Sequence, residues 1–126
     1  MQRKVLIVDD SATMRNMLKA TMLELNFEVH TAQDGEKAMK SIELYDYDII
    51  LTDINMPNVD GIELIRLIRA DEKNGGKPIL VITTEGGDAA KQAGRDAGAN
   101  GWIVKPCDPE ILKRAVSKLC GVNAAA

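Results

Sequence analysis

The chain has 126 residues, of which 45% are hydrophobic and 28% are charged, and its formal net charge is −3. This composition is typical of one soluble globular domain with a sizeable core. The acidic balance argues against general nucleic-acid binding, and no apolar run approaches the roughly 20 residues that span a bilayer.

Five short apolar runs predict β-strands. In chain order they cover residues 5–8, 27–32, 48–52, 78–83 and 101–105. The first, third and fourth are nearly continuous in Val, Ile and Leu, which is typical of strands covered on both faces of a parallel sheet. The second run alternates apolar and polar residues, and this pattern favours a position at the edge of the sheet.

Helices are predicted between the strands, from apolar residues at three- and four-residue steps. These residues are Met14, Met17, Leu18, Met22 and Leu25, then Ala38, Met39 and Ile42, then Leu64, Ile65 and Ile68, then Ile111, Ala115, Val116 and Leu119. Ser11, Asp34 and Asp60 are candidate N-caps of the first three helices. Strands that alternate with helices predict five βα units, which form a parallel α/β sheet with helices on both faces.

The fourth helical segment, residues 86–100, differs from the others. It is built from Ala, Gly and polar residues, so it offers little apolar area to the core. Gly94 alone costs about 1 kcal/mol relative to Ala in a helix interior. We therefore expect this segment to hold the core least tightly, as a moving part must. The alternative is a solvent-facing helix without a special role.

Charged and polar residues follow four of the predicted strands. They are Asp9 and Asp10, Asp53, Thr83 and Thr84, and Lys105. In a parallel sheet the carboxyl ends of the strands share one rim, where ligands bind. Two carboxylates roughly 4 to 5 Å apart repel each other by roughly 3 to 4 kcal/mol at an effective dielectric constant of about 20. Three carboxylates and one ammonium therefore predict a site for a cation; the alternative is a set of loop acids facing water.

The ligand types indicate what this site binds. Carboxylate oxygens without a nearby His or Cys suit Mg²⁺ or Mn²⁺. Such a metal keeps positions open for phosphate oxygens, while Lys105 adds positive charge and Thr83 a hydroxyl donor. The set predicts phosphoryl transfer, where catalysis is mostly positioning and charge neutralisation. No Gly-rich phosphate loop follows a strand, which indicates that the phosphoryl acceptor is a residue of the protein itself. Asp53 is the candidate nucleophile that takes the phosphoryl group as an acyl phosphate.

The same residues lie in motifs of a known family. The segments LIVDDSATMR, LTDINMPNVDG, ILVITTEGG and GANGWIVKP stand in this order over essentially the whole chain. The sequence resembles the receiver domains of two-component response regulators, and most of all the stand-alone chemotaxis regulators among them. The resemblance implies a flavodoxin-like fold with strand order 2-1-3-4-5. It also implies a receiver domain over residues 1–121. The composition of the last residues predicts a short disordered tail, residues 122–126.

The resemblance implies a metal site as well. Asp53 matches the phosphoacceptor, which also binds the metal. Asp10 matches the direct Mg²⁺ ligand, and Asp9 matches the acid that helps through water. Asn55 matches the position whose backbone carbonyl completes the metal site. The implied cofactor is therefore Mg²⁺ or Mn²⁺.

A switch is implied by the remaining matches. Lys105 matches the phosphoryl-binding lysine, in a Lys105–Pro106 bond that is implied to be cis. Thr83 matches the hydroxyl that bonds the phosphoryl oxygens. Trp102 matches the aromatic residue that turns inward when the Thr moves, which couples the site to a surface of the fourth helix, fifth strand and fifth helix. Asn55 and Glu85 match positions that tune how fast water removes the phosphoryl group.

The family's partners are expected here too. A sensor histidine kinase would phosphorylate Asp53, and an effector protein, with the flagellar motor switch as first candidate, would bind the changed surface. A phosphatase could end the signal. We expect a cytoplasmic monomer that binds neither nucleic acid nor membrane and is not an enzyme beyond its own phosphoryl transfer and dephosphorylation. The alternative role is a relay intermediate or phosphate sink between histidine proteins.

Two other functional classes fit the residues less well. Phosphatases similar to haloacid dehalogenases carry a second Asp two residues after the nucleophile, where this chain has Asn55, and they carry a cap insertion. A carrier of flavin mononucleotide could share the fold. However, the acids at the end of the first strand would repel its phosphate, and the chain has only 1 Trp, 2 Tyr and 1 Phe.

Cysteine and histidine give little sign of function. Cys107 and Cys120 are predicted to be free thiols, because the ends of one helix lie roughly 20 Å apart and a disulfide reaches about 7 Å. The alternative is that Cys107, which follows a Lys-Pro pair, is reactive. His30 is the only His and has no partner at metal-binding spacing.

Overall fold

The structure is a computed structural model that describes residues 2–57 and 59–121. The elements in chain order are β1 (Lys4–Val8), α1 (Ala12–Glu24), β2 (Glu28–Ala32), α2 (Gly35–Leu44), β3 (Ile49–Thr52), α3 (Gly61–Arg69), β4 (Ile79–Thr83), α4 (Asp88–Ala97), β5 (Gly101–Val104) and α5 (Pro109–Cys120). The predicted tail, residues 122–126, lies outside the described residues. Among the described helices, none combines the length and apolar composition needed to cross a membrane.

The five strands form one parallel sheet in the order β2-β1-β3-β4-β5. This order confirms the one implied by the family resemblance, and it confirms the edge position of the second strand. Val5 of β1 pairs with Val29 on one side and with Ile49 on the other. β1 and β3 therefore lie in the middle of the sheet, next to each other, and their carboxyl ends are adjacent.

Two separate apolar layers cover the faces of the sheet. Leu6 and Val8 of β1 pack in a layer with buried residues of α2, α3 and α4. Val5 and Ile7 pack in the other layer, with buried residues of α1 and α5. Alternate residues of a strand point to opposite faces, so the continuous apolar runs are explained by burial on both sides.

The predicted helix starts are confirmed. Ser11, Asp34 and Asp60 each accept a hydrogen bond from a backbone N–H of the first helical turn. Asp108 caps α5 in the same way, which the sequence reasoning did not predict. Each such cap stabilises its helix by about 1 kcal/mol.

Two apolar residues were wrongly predicted to lie on the buried helix faces. Met17 is 38% exposed and Ile111 is 47% exposed. Each directly precedes a buried residue, Leu18 in α1 and Leu112 in α5. Successive residues of an α-helix point about 100° apart. A narrow buried face therefore takes only one residue of such a pair.

The fourth helix is attached mainly at its carboxyl end. Its buried residues are Gly94 and Ala97, which have almost no side chain, and its N-cap Gly87 makes no side-chain capping bond. At the other end, Arg69 of α3 donates from Nε to the carbonyl oxygen of Gly98, at 3.1 Å. Residues with so little apolar area hold a helix weakly, which agrees with the expectation from composition.

Both cysteines are free thiols, as predicted. Burial, and after it the charge of Asp108, raises the pKa of the Cys107 thiol. Burial also raises the pKa of Cys120, to about 11. The thiolate is the reactive form of cysteine, so the geometry disfavours the alternative of a reactive Cys107.

His30 has polar partners within the fold. Its Nδ1 lies 2.8 Å from the Tyr47 hydroxyl, and its Nε2 lies 2.9 Å from a carboxylate oxygen of Glu28. His30 thus connects the edge strand β2 to the segment that leads into β3.

Candidate functional site

The polar residues at the strand ends come together at one rim of the sheet. Asp9 and Asp10 follow β1, and Asp53 follows β3. One carboxylate oxygen of each lies within 4.8 Å of the others. Asp9 and Asp53 are buried, while Asp10 is exposed. A rim with two buried acids and one accessible acid needs positive charge to offset their repulsion.

The Asp53 carboxylate is held in one orientation. Its Oδ1 accepts hydrogen bonds from the backbone N–H groups of Ile54, at 2.6 Å, and Asn55, at 3.0 Å. Its Oδ2 accepts a bond from the ammonium of Lys105, at 2.9 Å. The turn after β3 thus fixes one oxygen and leaves the other facing a cation.

Lys105 bridges two of the acids. Its Nζ lies 2.8 Å from Oδ2 of Asp9 and 2.9 Å from Oδ2 of Asp53, and its side chain is only 12% exposed. The Lys105–Pro106 peptide bond is cis, as the resemblance implied. A single, partly exposed ammonium therefore offsets part of the charge of two buried carboxylates.

The protonation states follow from these contacts. Burial acts to raise the pKa of Asp53, but hydrogen bonds from the Asn55 backbone and Lys105, with a contribution from Thr83, outweigh it and hold the pKa below its usual range. Burial acts to lower the pKa of Lys105, but Asp9 and Asp53 outweigh it and hold the pKa above its usual range. Both groups are therefore charged at neutral pH, and the Asp53 carboxylate has the form that a nucleophile requires.

The three acids fit a hard metal ion. Asp9 already uses both oxygens, because Oδ1 accepts from the Ser11 N–H at 2.9 Å and Oδ2 accepts from Lys105. The carboxylate of Asp10 is exposed at the mouth of the site, and Asn55 is also exposed there. Oxygen donors with open positions suit Mg²⁺ or Mn²⁺.

A chain of hydrogen bonds runs from this rim to the surface. The Thr83 side chain, fully buried at the end of β4, accepts at Oγ1 from the Glu85 N–H at 3.3 Å. The carbonyl oxygen of Glu85 accepts from Nε1 of Trp102 at 2.9 Å. The predicted switch residues Thr83 and Trp102 are thus linked through one residue of the β4–α4 loop.

Sequence reasoning missed two residues that shape the site. Arg15 of α1 donates from Nη1 to the backbone carbonyl of Asp9, at 2.7 Å. Gly61, the first residue of α3, packs so closely that a Cβ would collide with the backbone of Asp53 and Ile54. The available signals were a basic residue shortly after the acidic pair and an Asp-Gly pair after the third strand. Neither signal identifies a contact by itself.

The surface beside Trp102 carries two shallow grooves. One, of about 100 Å³, is lined by Lys91 and Arg95 of α4. The other, of about 230 Å³, is lined by Ile103 of β5 and Lys118 of α5. Trp102 borders both grooves, so a change in its position alters the shape of this surface.

Known proteins resemble this chain over nearly its whole length. Residues 5–117 match the family described as Response regulator receiver domain. Chemotaxis protein CheY1 of Helicobacter pylori is 40% identical over 122 residues, covering 95% of this chain and 98% of that protein.

Solved structures show the same likeness. Chemotaxis protein CheY4 of Vibrio cholerae superimposes with a TM-score of 0.90 at 38% identity, covering 94% of this chain and 99% of its own. The receiver domain of the sensor histidine kinase PA1611 from Pseudomonas aeruginosa was solved with a magnesium ion coordinated in its active site cleft. It superimposes with a TM-score of 0.88 at 29% identity, covering 96% of this chain and 99% of its own.

Proposed function

This chain belongs to the response regulator receiver domain family, and we propose that it is switched by phosphorylation of Asp53. It is a CheY-like signalling module of two-component signalling. One observation carries the proposal: the Asp53 carboxylate is fixed by two backbone N–H groups and faces Lys105, with two further acids within 4.8 Å. The proposed receiver domain extends over residues 1–121.

The proposed reaction moves a phosphoryl group from a phosphorylated histidine of a sensor kinase to Asp53. A carboxylate oxygen of Asp53 bonds to phosphorus, and the phosphorus–nitrogen bond breaks. The histidine nitrogen leaves with the electron pair and takes a proton. Lys105 offsets charge on the phosphoryl oxygens, and the hydroxyl of Thr83 donates a hydrogen bond to one of them. Water later hydrolyses the acyl phosphate and restores the Asp53 carboxylate. The proposed catalysis consists only of these two reactions, the protein's own phosphorylation and dephosphorylation.

Asn55 and Glu85 are proposed to set the rate of that hydrolysis. Both are exposed beside the rim, Asn55 two residues after the phosphoacceptor and Glu85 two residues after Thr83. Side chains in these positions control how easily water approaches the phosphorus atom. Their identities resemble those of chemotaxis regulators, which supports a short-lived signal.

A divalent metal is proposed to occupy the acidic rim. Asp10 and Asp53 would bind Mg²⁺ or Mn²⁺ directly, the backbone carbonyl of Asn55 would complete the set, and Asp9 would act through water. When bound, the ion neutralises charge on the transferring phosphoryl group. The carboxylate of Asp10 supports this assignment, because it is exposed to an incoming ion and lies within 4.8 Å of carboxylate oxygens of Asp9 and Asp53.

We expect Mg²⁺ to stabilise the folded protein. At a concentration one hundred times its dissociation constant, binding adds about 2.7 kcal/mol to the free energy of unfolding. Thermal unfolding with increasing MgCl₂ measures this effect. Asp10→Asn should lose most of it. Asp46→Asn, at an exposed acid that precedes β3 at the opposite rim, should retain it. An equal gain in Asp10→Asn would contradict the metal assignment.

We also expect the switch to be visible in fluorescence. Trp102 is the only Trp, and its N–H is linked through Glu85 to Thr83. Adding Mg²⁺ with beryllium fluoride, which mimics a phosphoryl group, should therefore change the emission of Trp102. Asp53→Asn should show no change. A flat response in the parent protein would contradict the aromatic switch.

The partners are proposed from the family and from the relatives' names. We infer a sensor histidine kinase as donor and an effector that binds the surface around Trp102, with the flagellar motor switch as first candidate. A phosphatase could shorten the signal. We infer a cytoplasmic monomer without nucleic-acid or membrane partners. The grooves beside Trp102 support an output through protein binding.

A capture experiment separates this role from its alternative. Protein loaded with Mg²⁺ and beryllium fluoride is used to capture partners from cell lysate, with Asp53→Asn as control. Motor-switch components captured only in the loaded state would support a role in chemotaxis. Capture of phosphotransfer proteins and kinases alone would support the alternative role of a relay intermediate or phosphate sink.

A further inference from the structure

Gly94 lies where the ring of Trp102 leaves no room for a side chain. A Cβ built on Gly94 would lie 2.5 Å from Cζ3, 3.1 Å from Cε3 and 3.6 Å from Cη2 of Trp102. The first two distances are shorter than the roughly 3.5–4.0 Å at which carbon atoms pack. All three atoms belong to the six-membered ring of the indole. This ring therefore rests on the bare backbone of α4.

Helix propensity makes this glycine unexpected. Gly is less favourable than Ala within a helix, and Gly94 lies within α4, three residues before its last residue, Ala97. An alanine would help the isolated helix but would collide with Trp102. The contact with the indole thus explains a residue that local helix propensity disfavours.

The other end of the indole contacts the β4–α4 loop. Nε1 of Trp102 donates to the carbonyl oxygen of Glu85 at 2.9 Å, and the N–H of Glu85 donates to Oγ1 of Thr83 at 3.3 Å. The indole is a rigid bicycle, so its six-membered ring and its N–H group move together. The packing of the six-membered ring against Gly94 therefore determines whether the indole N–H can bond to the carbonyl oxygen of Glu85.

The neighbouring part of α4 is held in place. Arg69 donates from Nε to the carbonyl of Gly98 and from Nη2 to Oδ1 of Asn100, at 3.1 and 2.6 Å. These bonds fix the carboxyl end of the helix to α3. Gly94 lies only four residues before Gly98, so a side chain at position 94 would have to displace Trp102.

We propose that Gly94 and Trp102 form a size-matched pair, in which Gly94 positions the switch aromatic. The missing side chain of Gly94 lets the indole lie close enough to α4 for its N–H to bond to Glu85. The pair also determines which aromatic residue fits at position 102, because an alanine at 94 suits a smaller ring. The switching role rests on the proposed function, whereas the contact between the two residues does not.

A double-mutant cycle tests the pair. The denaturant midpoint is measured for the parent, Gly94→Ala, Trp102→Phe and the double variant. Gly94→Ala should lower the midpoint in the parent, where it collides with the indole. In the Trp102→Phe background it should raise the midpoint, since Phe lacks the second ring and Ala favours the helix. Additive effects of the two substitutions would overturn the proposal.

A matched control removes the contribution of helix propensity. Asp96 is exposed on the same helix, and Asp96→Ala also replaces a poor helix former by a good one. Its effect on the midpoint should have the same sign in the parent and in the Trp102→Phe background. A reversal of sign in this control too would overturn the assignment to Gly94.

Fluorescence tests the positioning role separately from folding. Gly94→Ala should increase quenching of Trp102 by acrylamide and should reduce the emission change caused by Mg²⁺ with beryllium fluoride. Phosphoryl uptake at Asp53, measured by mass, should persist. Unchanged quenching and an unchanged response would overturn the positioning role. If the parent takes up no phosphoryl group while the cycle shows coupling, the proposed function fails and the pair stands.

Discussion

Replacing Asp53 by Asn is expected to abolish phosphoryl uptake completely. The parent protein, incubated with Mg²⁺ and a small acyl phosphate, should gain the mass of one phosphoryl group. An amide cannot attack phosphorus as a carboxylate does. Asn keeps an oxygen that can accept from the N–H groups of Ile54 and Asn55, as Oδ1 of Asp53 does. The fold should therefore persist while the chemistry is lost.

Controls make the mass measurement specific. Asp46→Asn replaces an acid whose side chain is 67% exposed, and it should gain the same mass as the parent. Omitting Mg²⁺ should suppress the gain in both proteins. Uptake that continues in Asp53→Asn would show that another residue is the acceptor. No uptake in the parent, with the control folded, would contradict the proposed phosphoacceptor.

Replacing Lys105 by Met is expected to destabilise the metal-free protein by roughly 3 kcal/mol, the typical loss when one partner of a buried ion pair is removed. Met has a similar length but no charge, so Asp9 and Asp53 would remain buried without their shared ammonium. Mg²⁺ should recover part of the loss, because the ion supplies positive charge at the same rim. Urea unfolding with and without Mg²⁺ measures both effects.

The stability that Lys105→Met loses should depend on pH in a defined direction. The pKa of Asp53 is lower in the folded protein than the usual value. Its stabilisation is therefore present above the unfolded pKa, near 3.9, and is lost as pH falls through the folded pKa. The pKa of Lys105 is raised, so its contribution is present below the unfolded pKa, near 10.4, and is lost as pH rises through the folded pKa.

The difference between parent and Lys105→Met should therefore be largest near neutral pH and should shrink in acid. Lys113→Met is the matched control, because Lys113 pairs with Glu24 and Glu110, whose side chains are 62% and 71% exposed. Surface pairs contribute little, so this variant should change stability only slightly. A loss for Lys105→Met that stays constant from neutral to acid pH would contradict the charge argument.

Much of the candidate site could be predicted from the sequence because its signals are local. Each buried strand is an apolar run in the sequence, and a charged or polar residue follows it. Parallel pairing then places Asp9, Asp53 and Lys105 at one rim. Periodicity did not supply the strand order 2-1-3-4-5 or the cis bond at Lys105–Pro106; both came from the family resemblance.

Other features could not be predicted because they depend on direction and distance in space. Met17 and Ile111 match the apolar spacing of their helices, yet they lie one residue outside the buried face. The contacts of Arg15 with Asp9, and of Gly94 with Trp102, join different elements. Composition marked Gly94 only as a weak point of its helix, and the packed indole supplies its reason.

The sequence by itself determined the alternation of strands and helices, the caps of the first three helices, the acidic rim and the ordered motifs that indicate the family. These properties depend on the order of residues and on the chemistry of single side chains. The tertiary structure alone decided that Lys105 bridges Asp9 and Asp53, that Glu85 links Thr83 to Trp102, and that Trp102 rests on Gly94. Such contacts require helices and strands to be packed at fixed distances, and the packing involves residues far apart in the chain.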